Sequence, residues 1–465
     1  MLYPVPNIYN FGNMGKENIH IISIGGSVMH DLAITLKKNG NIVTGSDDII
    51  YDPSKSRLKS KGLLPKETGY FRNNIHNNLD LVITGMHTKK NNIELLEAKK
   101  KNIPILSYPE YVKKLSNDKH RVVIAGSHGK TTITSMLMHV LKFNNVKFDY
   151  VIGAKAHGFT NNISLSENPL IIIEGDEYLT SPLDKSPKFL KYDHHIVLIN
   201  GIEWDHFNVF KSEKVYIKQF EKLIESTPKG GEILYYEDDN IVSSLIEKYN
   251  NENTTTKGFN YEKFETKNNV SYIFNEKNKK IKLNIFGRHN MQNIAGAKLL
   301  SEQLGIKQKH FYNAIKSYTL PEKRLQKLSD KKIKIFKDFA HSPSKLKATI
   351  NAVKNQYKNN LLIIYELHSS SSFDLNFLKN YKNSVEKSDY SIIYISEKKL
   401  HLFSKKINEK VIMNLFNTKK LKLVHTSKSL KKIIESKKFK LFNKLFMSSG
   451  NFENYNIENC INENK

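Results

Sequence analysis

The feature that most restricts what this chain can become is a short turn, Gly126-Ser127-His128-Gly129-Lys130-Thr131-Thr132. It lies between the apolar run Arg121–Ala125 and the helical pattern Ile133–Leu141. A strand, a glycine-bearing turn with Gly-Lys-Thr and a helix make a phosphate cradle. The glycines let backbone N–H groups turn toward anionic oxygens, and the helix N-terminus adds its dipole. Lys130 is then placed to reach the β- and γ-phosphates, and Thr131 to offer its hydroxyl to Mg²⁺. Ile124 stands where the long form of this loop has its first glycine, so the loop is a shortened one. The alternative is a plain strand–turn–helix connection with a chance Gly-Lys-Thr. The fit of both flanking elements speaks against it.

Short apolar runs alternate with helical patterns along most of the chain. His20–Ile24, Ile42–Thr44, Leu79–Thr84 and Ile103–Leu106 read as strands, with a helix over Met29–Lys38 between the first two. Such alternation predicts a parallel sheet with crossover helices, hence an α/β fold. A polar patch at Ser116-Asn117-Asp118 closes this first block. The second block continues through strands Leu170–Glu174 and Ile196–Asn200. Its later part, Glu232–Leu283, reads as a small antiparallel section, followed by helices over Met291–Leu304 and His310–Tyr318. A third block begins near Leu320-Pro321, with strands at Ile333–Phe336, Leu361–Tyr365, Ser391–Ile395 and Leu441–Met447. The expected domains are therefore 1–118, 119–319 and 320–465. A chain of 465 residues suits about three domains.

Carboxylates cluster where the strands of the second block end. Ile173-Glu174-Gly175-Asp176-Glu177-Tyr178 follows one strand, and Gly201-Ile202-Glu203-Trp204-Asp205-His206 follows the next. Side chains at the carboxyl ends of strands in an open α/β sheet face the crevice where ligands bind. Oxygen ligands suit Mg²⁺, so one of these carboxylates beside Thr131, with the His206 that follows Asp205, could complete an Mg²⁺ site. His194-His195 is no metal site, because adjacent side chains diverge. Near the start, Ser23-Ile24-Gly25-Gly26-Ser27-Val28 follows a strand, and Asp47 ends the next strand about twenty residues on, where a ribose-binding acid would sit. The full dinucleotide fingerprint is broken at Ser23 and Val28, which argues against a nicotinamide enzyme. A tight turn cradling a diphosphate and a purely structural turn both remain open.

Charge and cysteine usage narrow the setting. Lys plus Arg is 73 and Asp plus Glu is 46, a net charge of +27. That permits nucleic acid, an anionic surface or a phosphorylated small substrate. Lys, Asn and Ile are abundant everywhere, loops included, as AT-rich codons would make them, and that reading of the charge ranks ahead of nucleic-acid binding. The Lys-rich stretch Lys398–Lys444 has few aromatics and lacks the stacking platform of a single-strand binder. It reads as a solvated basic face. Cys460 is the one cysteine, which excludes a disulfide framework and fits a reducing compartment. Met1–Asn18 has Pro4, Pro6 and no long apolar run, and no later apolar stretch is long enough to span a bilayer. The expectation is a soluble cytoplasmic protein, a monomer or weak dimer, with no nucleic acid and no membrane insertion.

Taken in order, these motifs resemble the Mur ligase family of ATP-dependent amide-forming ligases of peptidoglycan synthesis. Gly287-Arg288-His289-Asn290-Met291-Gln292-Asn293, Lys323-Arg324-Leu325 and Asp338-Phe339-Ala340-His341-Ser342-Pro343 complete the series, which runs from about Asn18 to near Phe452. The resemblance implies Rossmann-like N- and C-terminal domains flanking a P-loop ATPase-like central domain, with ATP and Mg²⁺ as cofactors. It implies that Gly126, Ser127, His128, Gly129, Lys130, Thr131 and Thr132 hold the ATP phosphates. Glu174 and His206 then correspond to Mg²⁺ ligands. His289, Asn290 and Asn293 meet the nucleotide, Arg324 reaches the γ-phosphate and Asp338 the ribose. Gly25, Gly26, Ser27, Ser46 and Asp47 match the UDP-binding side, and Glu177 and Tyr178 the substrate. A general base is required for the attacking amine, with His341 or Asp205 as the choices.

Two branches of the family take UDP-N-acetylmuramate itself. One adds L-alanine, the other adds the tripeptide L-Ala-γ-D-Glu-meso-diaminopimelate. Asp176-Glu177-Tyr178 followed by Asp184-Lys185-Ser186-Pro187-Lys188-Phe189 is similar to the tripeptide branch, as is Met447-Ser448-Ser449-Gly450-Asn451-Phe452. Glu366-Leu367-His368-Ser369-Ser370 lacks the His-Arg-Tyr-like run of the alanine branch. The rival classes are a nucleic-acid-dependent P-loop ATPase and a non-catalytic scaffold; retention of Lys130, Glu174, His206 and Arg324 argues against the scaffold.

Overall fold

The computed structural model describes residues 16–205, 209–249, 251–368, 372, 374–402 and 408–462. These divide into two compact bodies. One comprises Met1–Glu203, Ile217–Asn260 and Gly296–Phe311, and the other Trp204–Tyr216, Tyr261–Ala295 and Tyr312–Lys465.

The first body holds two sheets. The smaller has four parallel strands in the order Ile42–Ser46, Asn18–Ile22, Leu81–Thr84, Ile105–Ser107. Its inner strands are apolar and covered on both faces, as parallel strands are; Ile19, Ile21, Ile22, Val82 and Ile83 are fully buried. The apolar run predicted as a strand through Ile24 leaves the sheet after Ile22. Ser23 takes a positive φ of 66°, and the N–H groups of Ser23 and Ile24 both turn to the carbonyl of Ser46. Helix Met29–Lys38 begins after that turn, at the predicted residues. Helix Tyr108–Ser116 is started by a capping box, in which Ser107 and Glu110 satisfy each other's backbone N–H groups.

The larger sheet has seven strands, in the order Thr255–Phe259, Glu232–Tyr236, Ile196–Ile199, His120–Ala125, Leu170–Glu174, Asp149–Val151, Ile163–Ser164. All pair in parallel except the last. The expected antiparallel section from Glu232 onward is corrected here. Glu232–Tyr236 and Thr255–Phe259 extend the parallel sheet, because helix Asn240–Tyr249 carries the chain between them as a crossover. Antiparallel pairing starts only at Phe264–Lys267, in a three-stranded sheet with Val270–Phe274 and Lys280–Leu283 that belongs to the second body. The two sheets of the first body are tied by polar contacts. Arg57 donates to Asn161 Oδ1 at 2.8 Å, the fully buried Asp31 of the first helix accepts from the N–H of Asn162 at 3.1 Å, and Asn39 Nδ2 donates to the carbonyl of Leu165 at 2.7 Å.

The second body is built around a six-stranded sheet. Its order is Gln326–Asp330, Lys334–Asp338, Asn443–Met447, Leu361–Glu366, Tyr390–Tyr394, Leu421–Val424, with the first strand antiparallel and the rest parallel. Gln326–Asp330 and Leu421–Val424 were not anticipated. Both are edge strands, and Gln326–Asp330 alternates too few apolar residues to announce itself. Two apolar layers cover the sheet, one around Phe336, Ile363 and Leu445 and one around Ile364, Ile392 and Phe446. Among the described residues no helix is long and apolar enough to cross a membrane.

Candidate active site

The phosphate loop sits at the middle of the seven-stranded sheet. Its strand, His120–Ala125, lies between Leu170–Glu174 and Ile196–Ile199. The chain crosses from one side of that strand to the other between those two neighbours, which places the loop at a topological switch point. Register sets Glu174 beside Ile124, and Ile199 beside Ala125. The sheet therefore delivers both acidic strand exits to the loop.

Two glycines are required by the backbone. Gly126 has φ +118°, and a Cβ there would stand 2.9 Å from the backbone nitrogen of Asn200. Gly129, at φ +77°, is the left-handed residue that starts helix Lys130–Phe143. Past it Lys130 folds back over the loop. Its Nζ donates to the carbonyl of Gly126 at 2.7 Å and to Glu177 Oε2 at 2.6 Å. Burial works against the ammonium, but the fully buried Glu177 carboxylate outweighs it, helped by Asp176, and holds the lysine above its ordinary value. Glu177 was expected to touch substrate; in this structure it is the counter-ion of Lys130.

Thr131 Oγ1 donates to Glu174 Oε1 at 2.7 Å, and the other oxygen of Glu174 accepts from the N–H of Gly153 at 2.7 Å. Ser127 Oγ accepts from the N–H of Glu203 at 2.8 Å, and His128 Nε2 meets the Glu203 carboxylate at 2.9 Å. Thr132, the third residue of the helix, is buried. A threonine hydroxyl and a carboxylate in contact are hard oxygen donors of the kind Mg²⁺ accepts alongside phosphate and water, so these residues fit the expected ion. His206, the third expected ligand, lies outside the described residues. No group of three or more His, Cys, Asp or Glu suited to a metal occurs among the described residues.

The glycine turn of the four-stranded sheet is organised by Asp47, whose Oδ2 accepts from the N–H of Gly25 at 2.8 Å while Tyr70 donates to Oδ1 at 3.4 Å. A Cβ on Gly25 would stand 2.9 Å from the same Asp47 oxygen. Burial pushes the Asp47 carboxyl up to about 6, against the pull of the Gly25 N–H. Gly26 is half-buried and Ser27 exposed. Ser46 does not face outward: its hydroxyl donates to Glu94, a fully buried carboxylate that also accepts from His20 Nε2, Asn74 and the N–H of Phe71. Sequence reasoning did not single out His20 or Glu94, which are 74 residues apart. Tyr178 lies beneath the ammonium of Lys188, 5.9 Å from its ring.

In the second body, Asn290 is 2% exposed at the start of helix Arg288–Gln303. Its Nδ2 donates to the carbonyl of Phe286 and its Oδ1 accepts from Asn293 Nδ2. His289 lies one residue before it, half-buried. Arg324 stands between two residues with positive φ, Lys323 at 62° and Leu325 at 30°. Asp338 pins that turn. One of its oxygens accepts from the N–H groups of Leu325 and Phe339, both at 2.9 Å, and the other from Thr349 Oγ1 at 2.6 Å. The Arg324 guanidinium lies 5.4 Å above the ring of Phe339. His341 Nδ1 donates to the carbonyl of Phe339 at 2.9 Å. A neutral imidazole so held carries its lone pair on Nε2, the form a general base needs. Asp205, the other expected base, is 6% exposed and paired with Lys345 at 3.1 Å.

Comparison with known proteins bears on both bodies. Residues 18–120 match the family model described as the Mur ligase family, catalytic domain, and residues 124–300 the Mur ligase middle domain. A UDP-N-acetylmuramate–L-alanine ligase of Dictyoglomus turgidum is 32% identical over 366 residues, 76% of this chain and 76% of that protein. A UDP-N-acetylmuramate–L-alanyl-gamma-D-glutamyl-meso-2,6-diaminoheptandioate ligase of Haemophilus influenzae is 29% identical over 374 residues, 77% of this chain and 80% of that one. Among solved structures, a UDP-N-acetylmuramate-alanine ligase of Thermotoga maritima aligns over 96% of this chain and 99% of its own, with a TM-score of 0.72 and 20% identity. A likeness at that identity is one of fold.

Proposed function

The chain belongs to the Mur ligase family, and from that premise we propose that it joins UDP-N-acetylmuramate to the tripeptide L-Ala-γ-D-Glu-meso-diaminopimelate. At the family level it is an ATP-dependent, carbon–nitrogen bond-forming ligase of peptidoglycan synthesis, with the three-domain Mur ligase fold. The proposed domain boundaries stay at 118/119 and 319/320.

The observation that carries the tripeptide reading is how Asp184–Phe189 folds. The N–H of Lys188 bonds to the carbonyl of Tyr178, the N–H of Phe189 bonds to that of Asp176, and Lys188 Nζ pairs with Asp176 at 2.6 Å. The two halves of the tripeptide-branch pattern thus form one unit, anchored by the fully buried Phe189. The alanine reading has its own support in the 32% identity to an L-alanine ligase. Phosphate release from Mg-ATP with UDP-N-acetylmuramate separates them. We expect turnover with the tripeptide and none with free L-alanine; turnover with L-alanine alone would transfer the chain to the other branch.

A carboxylate is a poor acyl donor. In the proposed reaction the muramoyl carboxylate accepts the γ-phosphoryl group of ATP, and the acceptor amine then displaces phosphate through a tetrahedral intermediate. Backbone N–H groups of the Gly126–Thr132 loop cradle the phosphates, and Lys130 exchanges Glu177 for phosphate oxygens. Thr131 and Glu174 would hold Mg²⁺, which when bound spreads negative charge from the phosphate oxygens. Arg324 is proposed to take γ-phosphate charge, on the turn that Asp338 fixes. His341 Nε2 is proposed to take the proton of the attacking amine.

Asp47 gives a pH test of the UDP side. A ribose hydroxyl can donate to the carboxylate but not in the same way to the acid. As pH falls through about 6 the carboxyl gains its proton. The KM for UDP-N-acetylmuramate should therefore rise below that pH, and Asp47→Asn should raise KM at pH 7 and flatten the profile. A wild-type KM that is level from pH 7.5 to 5 removes Asp47 from substrate recognition.

A further inference from the structure

The five parallel strands of the six-stranded sheet begin almost level. Ile335 pairs with Lys444, Leu361 with Asn443, Leu362 with Tyr390 and Ser391 with Leu421. The segments that lead into them therefore open on one edge of the second body. That edge lies at the opposite end of the strands from Asp338 and Glu366. Each of the five segments carries an exposed lysine: Lys332, Lys440, Lys358, Lys387 and Lys419. They come from separate stretches of chain, so no single lysine-rich run accounts for them.

Lys437 and Lys438 add to the same edge from the turn before Lys440. Most acids near it are already matched. Asp330 pairs with Lys327 and Lys334, Asp389 with Lys354, and Glu435 with Lys431. Glu386, beside Lys387, is the exposed acid left among the lysines. At the carboxyl ends of the strands the charges are mixed: Lys398 and Lys399 stand among Glu366, Glu397 and Glu453. The stretch Lys398–Lys444, read from the sequence as one solvated face, is thus divided between two ends of the sheet. Codon bias would load both ends alike, and only the amino end is one-signed.

One apolar side chain projects from that edge. Leu441 is 62% exposed, between Lys440 and a half-buried Phe442. The aromatics there are turned inward. Phe439 is buried, and Tyr390 lies beneath the ammonium of Lys438, 4.0 Å from its ring. A single nucleic-acid strand needs open rings on which bases stack. A lipid surface needs lysines for its anionic headgroups and an aliphatic side chain that enters the interface. The edge offers the second set.

We propose that this amino-end edge docks the protein reversibly on an anionic lipid surface, with the lysines on the headgroups and Leu441 in the interface. The carboxyl ends of the strands, with the Asp338 turn, then face away from the lipid. The proposal does not depend on which acceptor the chain uses.

The test is co-sedimentation of the full chain with vesicles of equal parts phosphatidylcholine and phosphatidylglycerol. We expect binding at low salt, its loss at high salt, and none to phosphatidylcholine alone. Lys437→Gln, Lys438→Gln and Lys440→Gln together should weaken binding about a hundredfold, at about fivefold per lysine. The same loss of charge at Lys99, Lys100 and Lys309, exposed lysines of the other body, should change it by less than about twofold. Leu441→Ser should weaken vesicle binding about tenfold and leave binding to single-stranded RNA unchanged. Urea midpoints equal to wild type check that the variants fold. No binding, equal binding to the neutral vesicles, or equal losses in the two triple variants would overturn the proposal. Tighter binding to single-stranded RNA than to the vesicles, with Leu441→Ser without effect, would overturn it too and make the edge a nucleic-acid surface.

Discussion

Lys130→Met should lower kcat for phosphate release by about 10²–10³-fold, the usual effect of removing one preorganised charge from developing negative oxygen. The structure adds a complication that makes the test sharper. The same substitution leaves the Glu177 carboxylate fully buried without its ammonium partner. Breaking a buried pair from one side costs about 3–5 kcal/mol, so the single variant should also be less stable. Lys130→Met with Glu177→Gln removes both charges. That double variant should recover stability in urea and recover no activity. A double variant that regains turnover would mean that Lys130 serves the fold and not the nucleotide.

The largest effect on stability alone is expected at Asp149. This residue is fully buried at the start of a strand in the seven-stranded sheet. It pairs with Lys119 Nζ at 3.0 Å and accepts from the N–H of Ser166 at 2.8 Å and its hydroxyl at 2.7 Å. Lys119 is itself buried, and among the described residues its other acceptors are the carbonyls of Ser166 and Asn168. Asn168 Nδ2 also donates to Asp149, at 3.3 Å, so Asp149→Ala takes the counter-ion from an ammonium and the acceptor from three donors, and should destabilise by about 3–5 kcal/mol. Lys119→Met leaves a carboxylate that keeps its Ser166 bonds, and should cost less. Urea midpoints for the two variants check the order. A loss under about 1 kcal/mol for Asp149→Ala would show that water reaches Lys119 and that the pair is not a fastening.

Residues that act through their immediate neighbours are legible in the sequence itself. The phosphate loop is one: glycine at Gly126 and Gly129, an ammonium at Lys130 and a hydroxyl at Thr131 are local requirements, and local pattern displays them. Parallel strands such as Leu170–Glu174 were also plain, because burial on both faces leaves an unbroken apolar run. Their ends were less so. Ile24 is as apolar as Ile22, and only the turn at Ser23 decides where the strand stops. Glu232–Phe259 was misread because short strands close together look alike whether a hairpin or a crossover joins them. Partners distant in the chain were invisible. Nothing near Glu177 says that it faces Lys130, 47 residues away. Asp338 shows a carboxylate in a motif; its hold on the Arg324 turn appears only when Leu325 and Thr349 arrive from elsewhere. His368 and Lys399, 31 residues apart, meet only because adjacent strands end side by side.

The Lys130–Glu177 contact bears on how a nucleotide arrives. A loop with a bare lysine would present a focused positive field, and long-range attraction would speed encounter at low salt. Here the charge is cancelled by a carboxylate 2.6 Å away. In the proposed reaction the incoming polyanion gains the lysine only by trading places with Glu177 at contact. Capture at this loop is then governed by a short-range exchange of partners, of the kind that ionic strength barely touches, and the surplus of lysines elsewhere on the chain is left to set any steering.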